Sequence, residues 1–272
     1  MSILPSMPSA ETPRDPDAER AAYTQPTPRL LYIHDDLTDE VSRRLGAGSP
    51  AAALVEDLLG VLSRDRERVR ILTLAEQLDR VIAQGPHPPF EQAVAIGRAG
   101  ERVAEALHAR AGWFPRISRI GLAREEDGRG GYHLVSSERA GLGVLEGVGE
   151  CRSLAIVDDT VFSGLTMRSV IEALPASLLP RTRAFCLRGV AASLAAIATR
   201  CPITAAVAAP GRPLDDVSFI NASGLVLRTS IRRRGLAPLA FFDRPEWIRA
   251  WFPGAHGEVI ALCRRLNALL EQ

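Results

Sequence analysis

The sequence predicts an α/β fold in which a mostly parallel β-sheet is flanked by helices. Between residues 93 and 209, short apolar runs typical of buried strands alternate with segments whose apolar residues recur at helical spacing. Alternation of this kind favours a parallel sheet that is covered on both faces. A length of 272 residues, 46% of them hydrophobic, is enough for one large core or for a core with a small appended domain.

The elements of this alternating region follow in order. Strands are predicted at residues 93–97, 117–123, 153–157, 184–190 and 203–209. The helix after the third strand has an inner apolar stripe that includes Met167, Val170 and Leu174. Between the second and third strands, a polar and glycine-rich stretch runs through Tyr132 and is predicted to be a loop.

Both ends of the chain depart from the alternation. Residues 1–28 are dense in Pro, Ser, Ala and charged residues, so they cannot bury enough apolar surface to offset the entropy of ordering, and a flexible tail is predicted. The other predicted elements are a strand running into a turn at 29–37, helices at 51–64 and 72–83, a strand at 223–231 and a closing helix at 257–272. The predicted organisation is the tail (1–28), an N-terminal helical extension (29–90), a core (91–210) and a C-terminal region (211–272).

Charge and cysteine spacing argue against several classes of protein. The formal net charge of +1 predicts no basic field that would hold a nucleic acid. The four cysteines form no CxxC pair and have no His at ligand spacing, which argues against a zinc site and a disulfide framework. No apolar run reaches the roughly 18–20 residues of a membrane-spanning helix, and the N-terminus lacks the pattern of a secretory signal. A reduced, cytoplasmic protein without nucleic-acid or membrane partners is expected.

The stretch LAIVDDTVFSGLT (154–166) is the most informative motif. Four apolar residues lead into Asp158 and Asp159, at the carboxyl end of a predicted strand, where ligands bind in open α/β sheets. The turn at 160–166 then enters a helix, whose free N–H groups and dipole favour an anion. Gly164 lets the backbone approach such an anion closely. A ribose 5-phosphate would place its phosphate in the turn and donate its hydroxyls to the carboxylates.

The same stretch resembles the signature for phosphoribosyl pyrophosphate (PRPP) in type I phosphoribosyltransferases, which is four apolar residues, two acidic ones, a small-residue turn and Gly-x-Thr. The resemblance covers residues 93–209, less than half of the chain. It implies a Rossmann-like core that moves a 5-phosphoribosyl group to a small acceptor, a nucleobase or a specialised metabolite. It also implies that Asp158 and Asp159 bind the ribose. The implied phosphate-binding residues are Thr160, Val161, Phe162, Ser163, Gly164, Leu165 and Thr166.

The resemblance implies two further loops, and the sequence has a candidate for each in the expected order. The pyrophosphate loop follows an early strand in the family. The residues at that place are Gly97, Arg98, Ala99 and Gly100. A GxxG pattern before a helix also fits simple packing of the helix on a strand, so both readings stay open.

The second implied loop is a mobile catalytic loop, at LAREEDGRGGYHLV (122–135). Such a loop closes over the substrate. Arg124, Arg129 and His133 could reach the pyrophosphate as charge builds on the leaving group, and solvated loop charges are the alternative reading. The implied catalytic residues are Arg124, Arg129 and Asp159.

The implied reaction is a displacement at the anomeric carbon through an oxocarbenium-like state. Positioning and stabilisation of the departing pyrophosphate would supply most of the catalysis. The implied cofactor is Mg²⁺, bound mainly through PRPP and water, so no metal-ligating residues are predicted. The family resemblance also implies a homodimer.

Two turn residues depart from the family pattern. Phe162 stands where members that act on 6-oxopurines have an aspartate that engages the base, which argues against hypoxanthine or guanine as the acceptor. Leu165 is bulkier than the usual small residue and predicts a slightly remodelled turn. Neither change removes the backbone donors.

In the family, a variable hood built from the chain ends selects the acceptor, and here it would come from residues 29–89 and from the region after Pro210. The candidate acceptor-binding residues are Phe162, Phe241, Phe242 and Asp243, with Trp247 and Trp251 as further aromatic candidates. Alternatively, these aromatics form the core of the hood. The residues Tyr32, His34, Asp35 and Asp36 either face the same cleft or form a turn and a helix N-cap.

Other functions were weighed against the transferase. A non-catalytic PRPP- or nucleotide-sensing regulator with the same fold is the main alternative, although a sensor has less need of a closing loop. A phosphatase that uses Asp158 as its nucleophile would need a lysine partner, and the sequence contains no lysine, so every cationic role falls to arginine. The basic stretch RTSIRRRG (228–235) is interpreted as a solvated face rather than a nucleic-acid site.

Overall fold

The computed structural model describes residues 26–126, 132–136, 145, 147–148, 150–233 and 235–271. Most of the predicted tail, Arg129 and the side chain of His133 lie outside the described residues.

The described strands and helices alternate along most of the chain. The strands are β1 (Leu30–Asp35), β2 (Val69–Thr73), β3 (Gln92–Ile96), β4 (Ile117–Ile120), β5 (Leu122–Glu126), β6 (Tyr132–Ser136), β7 (Leu154–Val161), β8 (Thr182–Val190), β9 (Ile203–Ala209), β10 (Val217–Asn221), β11 (Ile231–Arg233) and β12 (Leu236–Leu239). The helices are α1 (Leu37–Leu45), α2 (Pro50–Leu62), α3 (Leu74–Ile82), α4 (Gly97–Ala111), α5 (Leu165–Glu172), α6 (Ala191–Ala198), α7 (Ala222–Val226), α8 (Pro245–Trp251) and α9 (His256–Leu270).

The main sheet has five parallel strands in the order β4-β3-β7-β8-β9, with helices on both faces. Successive strand residues point to opposite faces, so each central strand contributes to two cores. Residues Ala93, Ala95, Val157 and Phe185 pack with α3 and α4. Residues Val94, Ile96, Ile156 and Cys186 pack with α5 and α6. The predicted α/β fold class is confirmed.

A second sheet is built from both ends of the chain. Its three parallel strands are in the order β10-β1-β2, and Leu30 to His34 of β1 lie beside Val217 to Asn221 of β10. One core continues from this sheet into α2, α8 and α9. The segments 30–73 and 217–270 therefore contribute to a common unit beside the main sheet, while α3 packs on the main sheet itself.

A third, four-stranded sheet joins the predicted catalytic loop to the C-terminal region. Strands β5 and β6 form an antiparallel pair, and β11 lies parallel to β5, with Arg233 opposite Glu126. The stretch predicted to be a loop thus begins and ends as strands, and residues 127–131 between them lie outside the described part of the chain.

Several predicted boundaries were wrong. The strand predicted at 117–123 is two strands, because the chain leaves the main sheet at Gly121 to pair β5 with β6. Residues 223–231 form most of α7 and a connection to β11 rather than one strand. Strand β7 continues through Asp158 and Asp159 to Val161, so the aspartates lie within its carboxyl-terminal half. Within the described ranges, no helix is long and apolar enough to span a bilayer.

Candidate functional site

A cavity of about 870 Å³ lies at the carboxyl ends of the main-sheet strands. Its walls include the ends of β3 and β7, the turn into α5, the start of α4, and the segments around β10, α7 and β11. Every residue from Asp158 to Met167 lines it. The part of the sequence motif from Asp158 to Thr166 therefore forms one continuous stretch of the cavity wall.

The turn between β7 and α5 has a backbone suited to an anion. Gly164 adopts φ +75°, a left-handed conformation that favours glycine. The first helical hydrogen bond of α5 runs from Arg168 N to Gly164 O, so the preceding N–H groups have no acceptor within the helix. Ser193 Oγ, on α6, donates to Phe162 O at 2.8 Å and so holds the backbone of the turn in place. The cavity thus meets a helix N-terminus.

The two aspartates have opposite protonation preferences. Burial, followed by the neighbouring Asp159 charge, raises the pKa of the Asp158 carboxyl well above its usual value. Burial also raises the pKa of Asp159, but the Arg188 charge and further partners outweigh it, and the net pKa is lowered. Asp158 Oδ1 accepts a hydrogen bond from Asp159 N at 2.8 Å. The two carboxyls are therefore shifted in opposite directions, and Asp159 is the one whose surroundings favour the ionised form.

Arg188 is the partner of Asp159, and sequence patterns did not identify it. Its side chain is fully buried in β8, and Nη2 donates to Asp159 Oδ2 at 3.1 Å and to Asn221 Oδ1 at 2.6 Å. Its Nη1 donates to Gln77 Oε1 at 3.2 Å. The sequence did contain a signal for this residue, since Arg188 is a charged residue inside the apolar run AFCLRGV. A central strand rarely buries a charge without a partner, so a buried carboxylate nearby could have been expected.

Arginines supply the positive charge of the cavity. The lining arginines are Arg44, Arg98, Arg119, Arg124 and Arg232. Arg44 pairs with Glu40 at 2.5 Å, and Arg119 pairs with Glu101 at 2.7 Å. No described carboxylate forms an ion pair with Arg98, Arg124 or Arg232. The cavity consequently has uncompensated positive charge that suits a ligand with several phosphates.

The candidate pyrophosphate residues separate into two groups. Gly97, Arg98 and Ala99 line the cavity at the N-terminus of α4, and Gly97 adopts φ +62°. Gly100 does not line the cavity but faces β7, where an added Cβ would lie 2.6 Å from Val157 O. Gly100 therefore allows α4 to pack closely on β7, which is the packing alternative given for the GxxG pattern.

Replacing Gly100 with alanine should destabilise the fold by about 1–3 kcal/mol, because α4 and β7 would have to move apart. Denaturant unfolding of both proteins measures the change. Gly60→Ala is the matched control, since that position in α2 has open space around it and alanine should stabilise the helix by up to about 1 kcal/mol. A Gly100→Ala protein as stable as the original would contradict the close approach.

Two of the four candidate acceptor residues line the cavity. Phe162 does so and packs edge-on against Phe219, with ring centroids 6.4 Å apart. Phe241 also lines it and fits beside Gly224, where a Cβ would lie 2.5 Å from the ring. Phe242 is buried with Trp247 and Trp251 in the core of the second unit, and Asp243 pairs with Arg228 at 3.0 Å. Phe242 and Asp243 both lie outside the cavity wall: Phe242 belongs to the core, as in the alternative for the aromatics, and Asp243 to an ion pair.

The residues of β1 and of the turn after it have separate roles. Asp35 accepts hydrogen bonds from Thr38 N at 3.1 Å and Thr38 Oγ1 at 2.8 Å, the helix-start role that the sequence predicted as one option. Asp36 accepts from Ser223 N at 2.8 Å and Ser223 Oγ at 2.6 Å. His34 and Asp36 line a smaller cavity of about 170 Å³, which shares Ala99, Asp159 and Asn221 with the main one. Tyr32 stacks on Phe219 at 5.2 Å.

Carboxylates for a metal are few at this site. Across the described residues, no group of three or more His, Cys, Asp or Glu side chains could hold a metal ion. The cavity does offer Asp158 and Asp159, and Mg²⁺ is commonly bound by one or two carboxylates together with substrate phosphates. The residues present therefore fit a Mg²⁺ that is bound chiefly by a phosphate ligand.

No protein-family model matches the chain, and no curated protein matches it. Among solved structures, it is similar to a purine phosphoribosyltransferase from Pyrococcus horikoshii Ot3, with 16% identity, TM-score 0.33, and coverage of 53% of this chain and 88% of that one. It is also similar to an APRTase from Giardia lamblia complexed with 9-deazaadenine, with 13% identity, TM-score 0.36, and coverage of 56% and 84%. A Helicobacter pylori xanthine-guanine-hypoxanthine phosphoribosyltransferase has 16% identity, TM-score 0.33, and coverage of 54% and 86%. Structural similarity at these TM-scores does not identify a function, so any functional assignment depends on the side chains that line the cavity.

Proposed function

We propose that this protein is a PRPP-dependent phosphoribosyltransferase, which moves a 5-phosphoribosyl group from PRPP to a small acceptor and releases pyrophosphate. The observation that carries the proposal is that an acidic pair, an anion-binding turn and arginines without described ion-pair partners all line one cavity. A ligand that combines phosphates with neighbouring hydroxyls matches all three features.

The proposed donor lies across the carboxyl ends of β3 and β7. Its 5-phosphate accepts hydrogen bonds from the turn around Gly164, and the ribose hydroxyls donate to Asp158 and Asp159. The pyrophosphate extends towards Arg98, which has the charge to hold it, and towards Arg124, which stabilises the charge that develops as pyrophosphate departs. Support comes from the positions of these side chains on one wall of the cavity.

The proposed reaction needs little covalent chemistry from the protein. The acceptor nitrogen or oxygen forms a bond to the anomeric carbon as the bond to pyrophosphate breaks, the electron pair of that bond leaves with pyrophosphate, and the proton of the acceptor passes to water. Arg124 stabilises the charge that develops there, and the carboxyl pair holds the ribose in line for attack. When bound, Mg²⁺ would neutralise part of the pyrophosphate charge next to Asp158 and Asp159.

The acceptor side of the cavity belongs to the second unit of the chain. Phe219, Phe241 and Ser223 line it there, opposite the β7 motif. Aromatic faces together with a hydroxyl suit a small planar acceptor such as a nucleobase or a specialised metabolite. Phe162 at the third turn position provides no acid–base group for such a ring.

The decisive experiment is calorimetric titration with PRPP and Mg²⁺, followed by measurement of pyrophosphate release with a panel of acceptors. We expect binding and acceptor-dependent release. Binding without release from any acceptor would favour the PRPP-sensing regulator, and no binding would overturn the proposal. The implied homodimer stays a prediction, which light scattering of the purified protein would test.

Arg124→Ala should lower turnover by about 100-fold while changing PRPP affinity by less than about threefold, because charge on the leaving group is largest in the transition state. Steady-state kinetics measures the turnover, and calorimetry measures the affinity for PRPP. Arg233→Ala is the matched control, since Arg233 lies on the neighbouring strand β11 and donates to Ala237 O at 2.6 Å. Equal losses of affinity and turnover would assign Arg124 to ground-state binding instead.

A further inference from the structure

The ionised carboxylate of the site is held by a residue that does not itself line the cavity. Arg188 lies behind Asp159 and contacts it from the next strand, β8. We infer that Arg188 is a positioning residue, which fixes the Asp159 carboxylate for the ribose and ties it to Asn221 of the second sheet. This inference rests on the proposed function.

Three elements fix the Arg188 guanidinium. Asp159 comes from β7, Asn221 from β10 and Gln77 from α3, at donor–acceptor distances of 3.1, 2.6 and 3.2 Å. Gln77 is itself held, since its Nε2 lies 3.0 Å from His34 Nδ1 and 2.9 Å from Thr73 O. A planar fork with several donors can satisfy acceptors in different directions at once. The position of Asp159 is therefore set by both sheets.

Stability alone does not account for this network. Burying a guanidinium and a carboxylate costs several kcal/mol, and well-packed apolar residues often do as well or better. The Nε of Arg188 is buried without a hydrogen-bond partner among the described residues, so the network is not arranged to satisfy every donor. The satisfied donors are those directed at Asp159, Asn221 and Gln77, and the first two of these line both cavities.

Arg188 contacts only one carboxyl of the pair. Asp158 and Asp159 are adjacent and buried, so two negative charges there would repel each other. The Arg188 guanidinium donates to Asp159 Oδ2 at 3.1 Å, and Thr160 Oγ1 donates to the same oxygen at 3.2 Å. Thr160 is the next residue of β7, so Arg188 is the donor that ties Asp159 to another part of the fold, and without it the ribose would meet a carboxylate whose place was no longer fixed.

The test uses Arg188→Met and Arg188→Lys with two readouts. Carbon-13 NMR of the aspartate carboxyls follows the titration of Asp159 without any ligand, and calorimetry with PRPP and Mg²⁺ gives the affinity. For Arg188→Met, we expect the Asp159 titration to move up by at least about one pH unit and PRPP affinity to fall by about 10- to 100-fold. Arg183→Met, on the same strand but outside the cavity wall, should match the original protein in both readouts.

Arg188→Lys keeps the charge and loses the fork, so it tests positioning even where Arg188→Met fails to fold. A single ammonium cannot reach Asp159, Asn221 and Gln77 together, and we expect PRPP affinity to fall by about tenfold. Unchanged affinity in the lysine variant, or an unchanged Asp159 titration in the methionine variant, would overturn the inference. If the original protein does not bind PRPP, the proposed function fails, while the NMR titration still tests whether Arg188 controls Asp159.

Discussion

Replacing both Asp158 and Asp159 with asparagine should lower PRPP affinity by about 100-fold or more. Each side chain would accept a hydroxyl of the ribose, and such a hydrogen bond contributes about 1 kcal/mol, or about 1.5–3 kcal/mol where the acceptor is charged. Calorimetric titration in the presence of Mg²⁺ measures the loss. Asp57→Asn serves as the control, because Asp57 is exposed on α2 and does not line the cavity. Unchanged affinity in the double variant would refute the assignment of the motif.

The Asp159 change has a second consequence that the sequence did not predict. Asp159 is the counter-charge of the fully buried Arg188, and removal of one partner of a buried ion pair costs about 3 kcal/mol or more. Denaturant unfolding of the double variant should show this loss. Asp158→Asn alone leaves the ion pair intact, so we expect normal stability and about a tenfold loss of PRPP affinity. Comparison of the single and double variants separates binding from folding.

The main sheet could be predicted because its signals are local. Strands such as β3 are short apolar runs bounded by polar connections, which is typical of strands covered on both faces. The β7 motif was equally informative, since an acidic pair followed by a glycine-containing turn has a limited set of physical uses. The predicted turn and the aspartates do lie together on one cavity wall.

The second sheet was not predictable from local patterns. Strand β1 pairs with β10 across most of the chain, and the link from Ser223 to Asp36 joins residues 187 positions apart. The sequence VSFIN of β10 mixes apolar and polar residues, since Ser218 and Asn221 interrupt it, so it does not stand out as a strand. The partners of Arg188 come from β7, β10 and α3, and only the folded chain brings them together.

For the aromatic C-terminal stretch, the sequence could not predict which residues line the cavity, and the reason is different. Its composition fits both an acceptor wall and a small core, and the residue spacing does not separate the two. In the structure, Phe241 faces the cavity, while Phe242 packs inside with Arg228 5.1 Å above its ring. The Phe241 ring also contacts Trp247 and Trp251, with ring centroids 6.0 and 5.4 Å apart, so Phe241 lies between the cavity and the core, whereas Phe242 is buried within that core.

The His34 environment predicts a loss of stability in mild acid. Burial and then the Arg188 charge lower the pKa of His34 from 6.5 to about 4. In the unfolded chain His34 gains a proton below about pH 6.5, whereas the folded protein holds it neutral down to about pH 4. The neutral, buried His34 therefore contributes its full share of the unfolding free energy above pH 6.5, and this share is lost as the pH falls towards 4. The shift corresponds to about 3 kcal/mol of unfolding free energy.

Other groups titrate over the same range, so the test compares variants rather than reading one curve. The raised pKa of Asp158 opposes the acid loss and the lowered pKa of Asp159 adds to it, and both remain in a His34→Gln protein. Urea unfolding at pH 7 and pH 4.5 should show that His34→Gln loses about 2 kcal/mol less than the original protein over this interval. His256→Gln, at the start of α9, should lose as much as the original. Equal losses in the His34 variant and the original would mean that His34 titrates normally, and that the buried network of Arg188, Gln77 and His34 does not exclude the proton.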